Sequence, residues 1–181
     1  MLGTLYIISA PSGCGKTSLV NAMLQSASQM MISISHTTRP MRPGEQEGVN
    51  YHYIDTEQFE AMEASEQFLE SASVFGNRYG TSRAKLEELL RQGTDVVLEI
   101  DWQGARQIRC SFSNVISIFI LPPSKDVLSA RLCSRRQDTP EVIQQRMALA
   151  HEEMAHCGEY DYVIINDNFD YALSDLNAIV H

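Results

Sequence analysis

Lysine is scarce in this chain: Lys16, Lys85 and Lys125 are the three in 181 residues, and the net charge is −9. That net charge disfavours wide contact with nucleic acid, which needs a basic face, so nucleic acid is not expected as a partner. Long apolar runs are missing too. None approaches the roughly 18 residues of a membrane-crossing helix, so no membrane partner is expected. The N-terminus has no basic region followed by a long apolar stretch, so no secretory signal is expected. Cysteine occurs at positions 14, 110, 133 and 157 with no Cys-x-x-Cys spacing. That scatter excludes a disulfide framework or a cysteine zinc site and points to a reducing, cytoplasmic compartment. His151, Glu152 and His156 do not supply a zinc site either. The histidines stand five apart, about 140° around a helix, where ligands on one face stand four apart.

Arginine carries most of the positive charge, and it is clustered. Six of eleven arginines fall in two groups, Arg39 with Arg42, and Arg131, Arg135 and Arg136 with Arg146. A guanidinium fork matches phosphate oxygens two at a time, so an acidic chain with local arginine clusters suits small anionic ligands.

The most specific stretch is Ala10-Pro11-Ser12-Gly13-Cys14-Gly15-Lys16-Thr17, directly after the apolar run Leu5-Tyr6-Ile7-Ile8. A strand feeding a glycine-rich turn and then a helix is the layout of a P-loop. Gly13 and Gly15 can take positive φ, which lets backbone N–H groups turn inward around a phosphate. The helix that opens there aims its positive dipole end at the same place. Lys16 would reach the outer phosphates and the Thr17 hydroxyl would ligate Mg2+. Ala10 stands where this pattern usually begins with glycine. Cys14, near Lys16 and a helix N-terminus, is either a thiol of lowered pKa or a small residue that fits the loop.

Apolar alternation predicts strands at about 4–9, 31–35, 95–100, 115–121 and 161–166. Helices are predicted at about 15–27, 56–66, 82–92, 102–110, 124–135, 140–157 and 169–180. This order implies an α/β fold, a P-loop NTPase-type parallel sheet flanked by helices. Two segments break the rhythm. Residues 36–82 are polar, rich in glycine and tyrosine, and too long for a crossover loop, so they read as an inserted small domain. Residues 133–140 interrupt two helices with charge and a proline, as a flap would.

Beyond the P-loop, the chain carries Ser35-His36-Thr37-Thr38-Arg39-Pro40-Met41-Arg42-Pro43-Gly44-Glu45 and then Gly48-Val49-Asn50-Tyr51. Phe68-Leu69-Glu70, Gly76-Asn77-Arg78-Tyr79-Gly80-Thr81 and Glu99-Ile100-Asp101-Trp102-Gln103-Gly104 follow. In order and spacing these resemble the motifs of guanylate kinases, which phosphorylate GMP with ATP, and the likeness runs from about Thr4 to Ile179. It implies a single domain with a core at 1–35, 83–126 and 146–181, a GMP-binding insertion at 36–82 and an arginine-rich lid at 127–145.

Carried onto this sequence, the resemblance implies that Arg39, Arg42, Tyr51 and Tyr79 hold the GMP phosphate, with Ser35 nearby. Glu70 and Thr81 would read guanine: a carboxylate accepts from N1–H and N2–H2, and a hydroxyl donates to O6. Adenine fails both contacts, and unpaired polar groups can discriminate by roughly 10^4. Asp101 would organise Mg2+ through water at the end of a buried strand. Glu99 stands where the family usually has aspartate and is assigned near GMP. Arg135, Arg146 and Arg131 would close over the ATP phosphates, and Asn166 would flank the adenine. The insertion and the lid would close when both nucleotides are bound. The implied substrates are ATP with GMP or dGMP, and the implied cofactor is Mg2+. Two alternatives remain at this point: a sister P-loop kinase acting on another phosphorylated substrate, and a non-catalytic guanylate kinase-like binding module.

Overall fold

A computed structural model describes residues 2–27, 29–134 and 139–180. Five strands form one sheet in the order β2-β7-β1-β8-β9: β1 (Leu5–Ser9), β2 (Met30–Ile32), β7 (Asp95–Glu99), β8 (Val115–Leu121) and β9 (Tyr162–Ile165). The pairs β2–β7 and β8–β9 are parallel, as expected of strands separated by helices. A second sheet, in the order β4-β3-β6-β5, is built from β3 (His36–Thr37), β4 (His52–Tyr53), β5 (Phe68–Val74) and β6 (Asn77–Ser82). The chain divides into two compact units, the residues up to Ile7 with Gln29–Val115, and Ile8 through the first helix with the residues from Ile116 onward.

The first unit holds the second sheet together with α2 (Thr56–Ala64), α3 (Arg83–Arg91), β7 and α4 (Trp102–Ser111). Helix α2 starts at a capping box in which the Asp55 side chain accepts from the Gln58 N–H and the Gln58 side chain accepts from the Asp55 N–H. Strands β5 and β6 are joined by Phe75-Gly76, both at positive φ (51° and 74°), the turn whose twist suits a two-residue hairpin. Phe59 and Phe68 stack at 4.6 Å under this sheet. Val96, Val97 and Leu98 of β7 are buried, as are Leu86, Leu89 and Leu90 of α3. Their burial follows from i, i+3, i+4 spacing on the helix and a continuous apolar run in the strand.

The second unit holds α1 (Lys16–Ser26), β8, α5 (Lys125–Ser134), α6 (Pro140–Ala155), β9 and α7 (Phe169–Val180). Its core collects Leu19, Val20 and Met23 of α1, Ile118, Phe119 and Ile120 of β8, Leu128 and Leu132 of α5, and Ala172 and Leu176 of α7. Helix α6 begins as its sequence dictates, with Thr139 as N-cap and Pro140 in the first turn. Among the described residues no helix is long and apolar enough to cross a membrane.

Most predicted elements stand where the periodicity put them. The strand expected at 31–35 is shorter, and the insertion holds four strands that alternation did not reveal. Two of them, β3 and β4, are two residues long, too short to show a period.

Candidate active site

The glycine-rich loop, Ala10 to Gly15, lies between β1 and α1 in the order the sequence predicted. Gly13 and Gly15 have φ of 94° and 83°, so both use the left-handed region where a side chain would be strained. Gly15 is the N-cap of α1, and the first turn carries no acidic residue. An anion there meets first-turn N–H groups and the positive end of the helix dipole, with no acidic side chain in that turn. Lys16 is half-buried and Thr17 exposed at the start of α1. Cys14 is fully buried. Of the two readings of Cys14, that burial favours the small residue that fits the loop.

Around this loop, Arg131 of α5 donates from Nη2 to the Asn166 carbonyl oxygen at 2.9 Å, while its Nη1 is buried with no hydrogen-bond partner. A buried guanidinium N–H without an acceptor is costly and suits a site that receives an anion. Asn166 is buried directly after β9. Arg146 is half-buried on α6. Arg135 and Arg136 lie outside the described residues.

In the first unit, the residues assigned to the acceptor nucleotide gather in two groups. Arg39 lies over the rings of Tyr51 and Tyr53, 5.4 Å and 5.9 Å from their centroids. Tyr51 and Tyr79 meet edge to face at 5.7 Å. Arg39 donates from Nη2 to Glu45 Oε1 at 2.7 Å. The other oxygen of Glu45 accepts from the Arg42 backbone N–H and the Tyr53 hydroxyl, at 2.7 and 2.8 Å. Burial raises the Glu45 pKa, but these donors outweigh it and hold the carboxyl at about 2. Burial pulls the Arg39 guanidinium down, and Glu45 more than offsets it, so Arg39 titrates above the ordinary arginine range. Burial first, and then Tyr79 and Glu99, push Tyr51 up to about 12, so its phenol stays a neutral donor. Glu45 is the residue of this group that the motif assignment missed. Its signal is the spacing Arg39-x-x-Arg42-x-x-Glu45, which lets one turn bring a carboxylate back onto both arginines. The Arg42 side chain itself is exposed. Ser35 is buried, and its carbonyl oxygen accepts from the His52 N–H at 2.9 Å.

The second group is Glu70 and Thr81, paired across β5 and β6. Both are buried, and the Thr81 hydroxyl donates to Glu70 Oε1 at 2.5 Å. Burial is the main cause that raises the Glu70 carboxyl to about 7, with the Asp101 charge adding to it and Thr81 opposing. Tyr79 and Thr81 stand two apart on β6, so their side chains share one face, about 7 Å apart along the strand. Tyr79 and Thr81 thus line one surface.

Helix α4 completes this face. Its N-cap is Asp101, whose Oδ1 accepts from the Gly104 N–H at 2.9 Å and whose Oδ2 accepts from Gln103 Nε2 at 3.0 Å. A Cβ on Gly104 would lie 2.5 Å from Glu70 Oε2, so only glycine admits the carboxylate at this distance from the helix. One turn on, Gln107 Oε1 accepts from the Ser71 N–H at 3.1 Å, and its Nε2 donates to the Ser71 carbonyl oxygen at 2.8 Å. Gln107 is a second residue the motif assignment missed. Its signal is the stripe Asp101, Gly104, Gln107, spaced by three along one helix face.

Comparisons with known proteins point to one family. The guanylate kinase family model matches residues 2–181. The chain is 59% identical over 179 residues to a guanylate kinase of Alkalilimnicola ehrlichii, covering 99% of this chain and 88% of that one. It is 57% identical over 179 residues to a guanylate kinase of Chromohalobacter salexigens, covering 99% and 83%. The crystal structure of guanylate kinase from Anaplasma phagocytophilum matches with a TM-score of 0.84 at 34% identity, covering 99% of this chain and 85% of that one.

Proposed function

The chain belongs to the guanylate kinase family, a nucleoside monophosphate kinase, and on that premise we propose how its residues divide the reaction ATP + GMP → ADP + GDP. The observation that carries the reading is the buried Glu70–Thr81 pair. Guanine is the base whose N1–H and N2–H2 present two donors to one carboxylate while O6 accepts from a hydroxyl. A sister kinase for a substrate without guanine has no use for a carboxylate buried at this cost. A binding module without catalysis has no use for Lys16, Thr17 and the arginines.

Arg39, Arg42, Tyr51 and Tyr79 hold the GMP phosphate, with Ser35 and Glu99 beside them. Glu45 keeps Arg39 extended over Tyr51, so the guanidinium is placed before the dianion arrives. dGMP, which differs from GMP only at the ribose 2′-position, keeps the same base and phosphate contacts and is a substrate as well. The loop Ala10–Gly15, Lys16 and the start of α1 hold the ATP phosphates, with Arg131, Arg146 and Arg135 neutralising the transferred group. A GMP phosphate oxygen attacks the γ-phosphorus, the bond to the β–γ bridging oxygen breaks, and ADP leaves. No side chain needs to act as base, because the attacking phosphate oxygen carries its own charge. The insertion at 36–82 and the lid at 127–145 close over the substrates, which keeps water from taking the phosphoryl group.

The donor set fits Mg2+ in part directly: the Thr17 hydroxyl is a hard oxygen ligand at the start of α1. Both Asp101 oxygens already accept hydrogen bonds, which suits an outer position through water. Thr17, with Asp101 through water, would hold Mg2+, whose contribution would be to neutralise phosphate charge. All four cysteines are free, which fits a cytoplasmic location. Calorimetric titration with GMP and with AMP in the absence of ATP tests the assignment. GMP binding with no AMP binding supports it, and equal binding of the two overturns it.

A further inference from the structure

The resemblance gives Asn166 to the adenine, yet its side-chain donor is engaged elsewhere. Asn166 Nδ2 donates to the carbonyl oxygen of Cys14 at 2.8 Å in a fully buried hydrogen bond. The Asn166 main chain is fixed at both ends: its N–H donates to the Leu121 carbonyl at 2.8 Å, and its carbonyl accepts from Arg131 Nη2 at 2.9 Å. A Cβ on Gly15 would lie 2.6 Å from Nδ2, so the asparagine sits directly on the crest of the loop.

Peptide geometry turns this contact into a statement about the phosphate site. The Cys14 carbonyl and the Gly15 N–H belong to one planar trans peptide and point in opposite directions. Glycine at position 15 tolerates either sign of φ, so the residue itself does little to prevent this peptide from flipping. A restraint has to come from outside the loop. We propose that Asn166 is a positioning residue of the phosphate loop: by holding the Cys14 carbonyl it aims the Gly15 N–H at the nucleotide phosphates. Arg131 braces the asparagine from α5, which ties that helix to the loop's geometry. The inference rests on the reading that this loop receives the ATP phosphates, and it goes beyond it by assigning the residue that sets the loop's shape.

The test compares Asn166→Ala and the less disruptive Asn166→Ser with the unaltered chain. ATP and GTP serve as alternative phosphoryl donors, and inorganic tripolyphosphate serves as a probe with no base. A positioning role predicts that KM for ATP, KM for GTP and the dissociation constant of tripolyphosphate all rise by the same factor, roughly tenfold. The ATP-to-GTP preference and KM for GMP stay as they were. A collapse of the ATP-to-GTP preference with unchanged tripolyphosphate binding overturns the proposal and returns Asn166 to the base. Unchanged constants throughout overturn it as well. Should both variants fail to fold, the Asn166 side-chain amide resonances of the unaltered chain decide: equal shifts with ATP and with tripolyphosphate support the proposal, and a shift with ATP alone refutes it. If the unaltered chain binds neither ATP nor tripolyphosphate, the reading of the loop itself fails.

Discussion

Replacing Glu70 by glutamine makes the sharpest demand on the physical account, because it is expected to stabilise the free protein while damaging its function. Burial, with the Asp101 charge beside it, raises the Glu70 carboxyl from 4.5 to about 7. The native state therefore binds more protons than the unfolded chain between those values, and stability falls as pH rises through that window. Above pH 7 the full cost is present. A rise from 4.5 to about 7 corresponds to about 3 kcal/mol. An amide at this position carries no charge to desolvate, so Glu70→Gln should gain about 3 kcal/mol more, relative to the unaltered chain, at pH 8 than at pH 4.5. Urea unfolding without nucleotide at the two pH values measures this difference directly. For a chain of this size the same difference appears as a melting-temperature gain of roughly 6–12 °C. The variant should also lose about 10^2-fold or more in kcat/KM for GMP, because an amide nitrogen then faces a guanine donor. A stability difference that does not change with pH would refute the claim that Glu70 is held as a costly buried carboxyl.

Other expectations follow from the same geometry. GMP needs the ionised carboxylate, so below pH 7 its binding should release up to about one proton, seen as buffer-dependent heats in calorimetry. KM for GMP should then rise about tenfold per pH unit. Gly104→Ala puts a methyl where Glu70 Oε2 lies; KM for GMP should rise about tenfold or more while KM for ATP is unchanged, as steady-state kinetics will report. Gln107→Met keeps the side-chain length but removes both contacts to Ser71. A rise of a few-fold in KM for GMP is expected, without a matching fall in kcat. Glu45→Gln frees Arg39 from its anchor, so KM for GMP should rise by roughly tenfold and vary more steeply with salt.

Much of this was legible because the signals are local. Leu5 to Thr17 announces a strand, a loop and a helix within one window, and Val115 to Leu121 is an apolar run stopped by Pro122-Pro123. The second sheet was hidden for a physical reason. Its short strands are held by tertiary pairing rather than by an apolar period of their own, and the Phe75-Gly76 turn puts a phenylalanine where asparagine or glycine is usual. The guanine pair was legible from the motifs, but its energetics were not. The burial of Glu70 depends on Gly104, thirty-four positions away, which brings α4 against the carboxylate. Asn166 shows the same limit: strand-end placement says which loop it is near, while only coordinates say that its amide holds the Cys14 carbonyl.

ADP production from ATP with Mg2+, measured in parallel with GMP, dGMP, AMP, UMP and IMP, tests the central claim most directly. The account predicts strong turnover with GMP and dGMP, weak turnover with IMP, which lacks the second guanine donor, and almost none with AMP or UMP. Turnover with AMP comparable to that with GMP would contradict it, since a buried carboxylate paired with a threonine hydroxyl would then not be choosing the base.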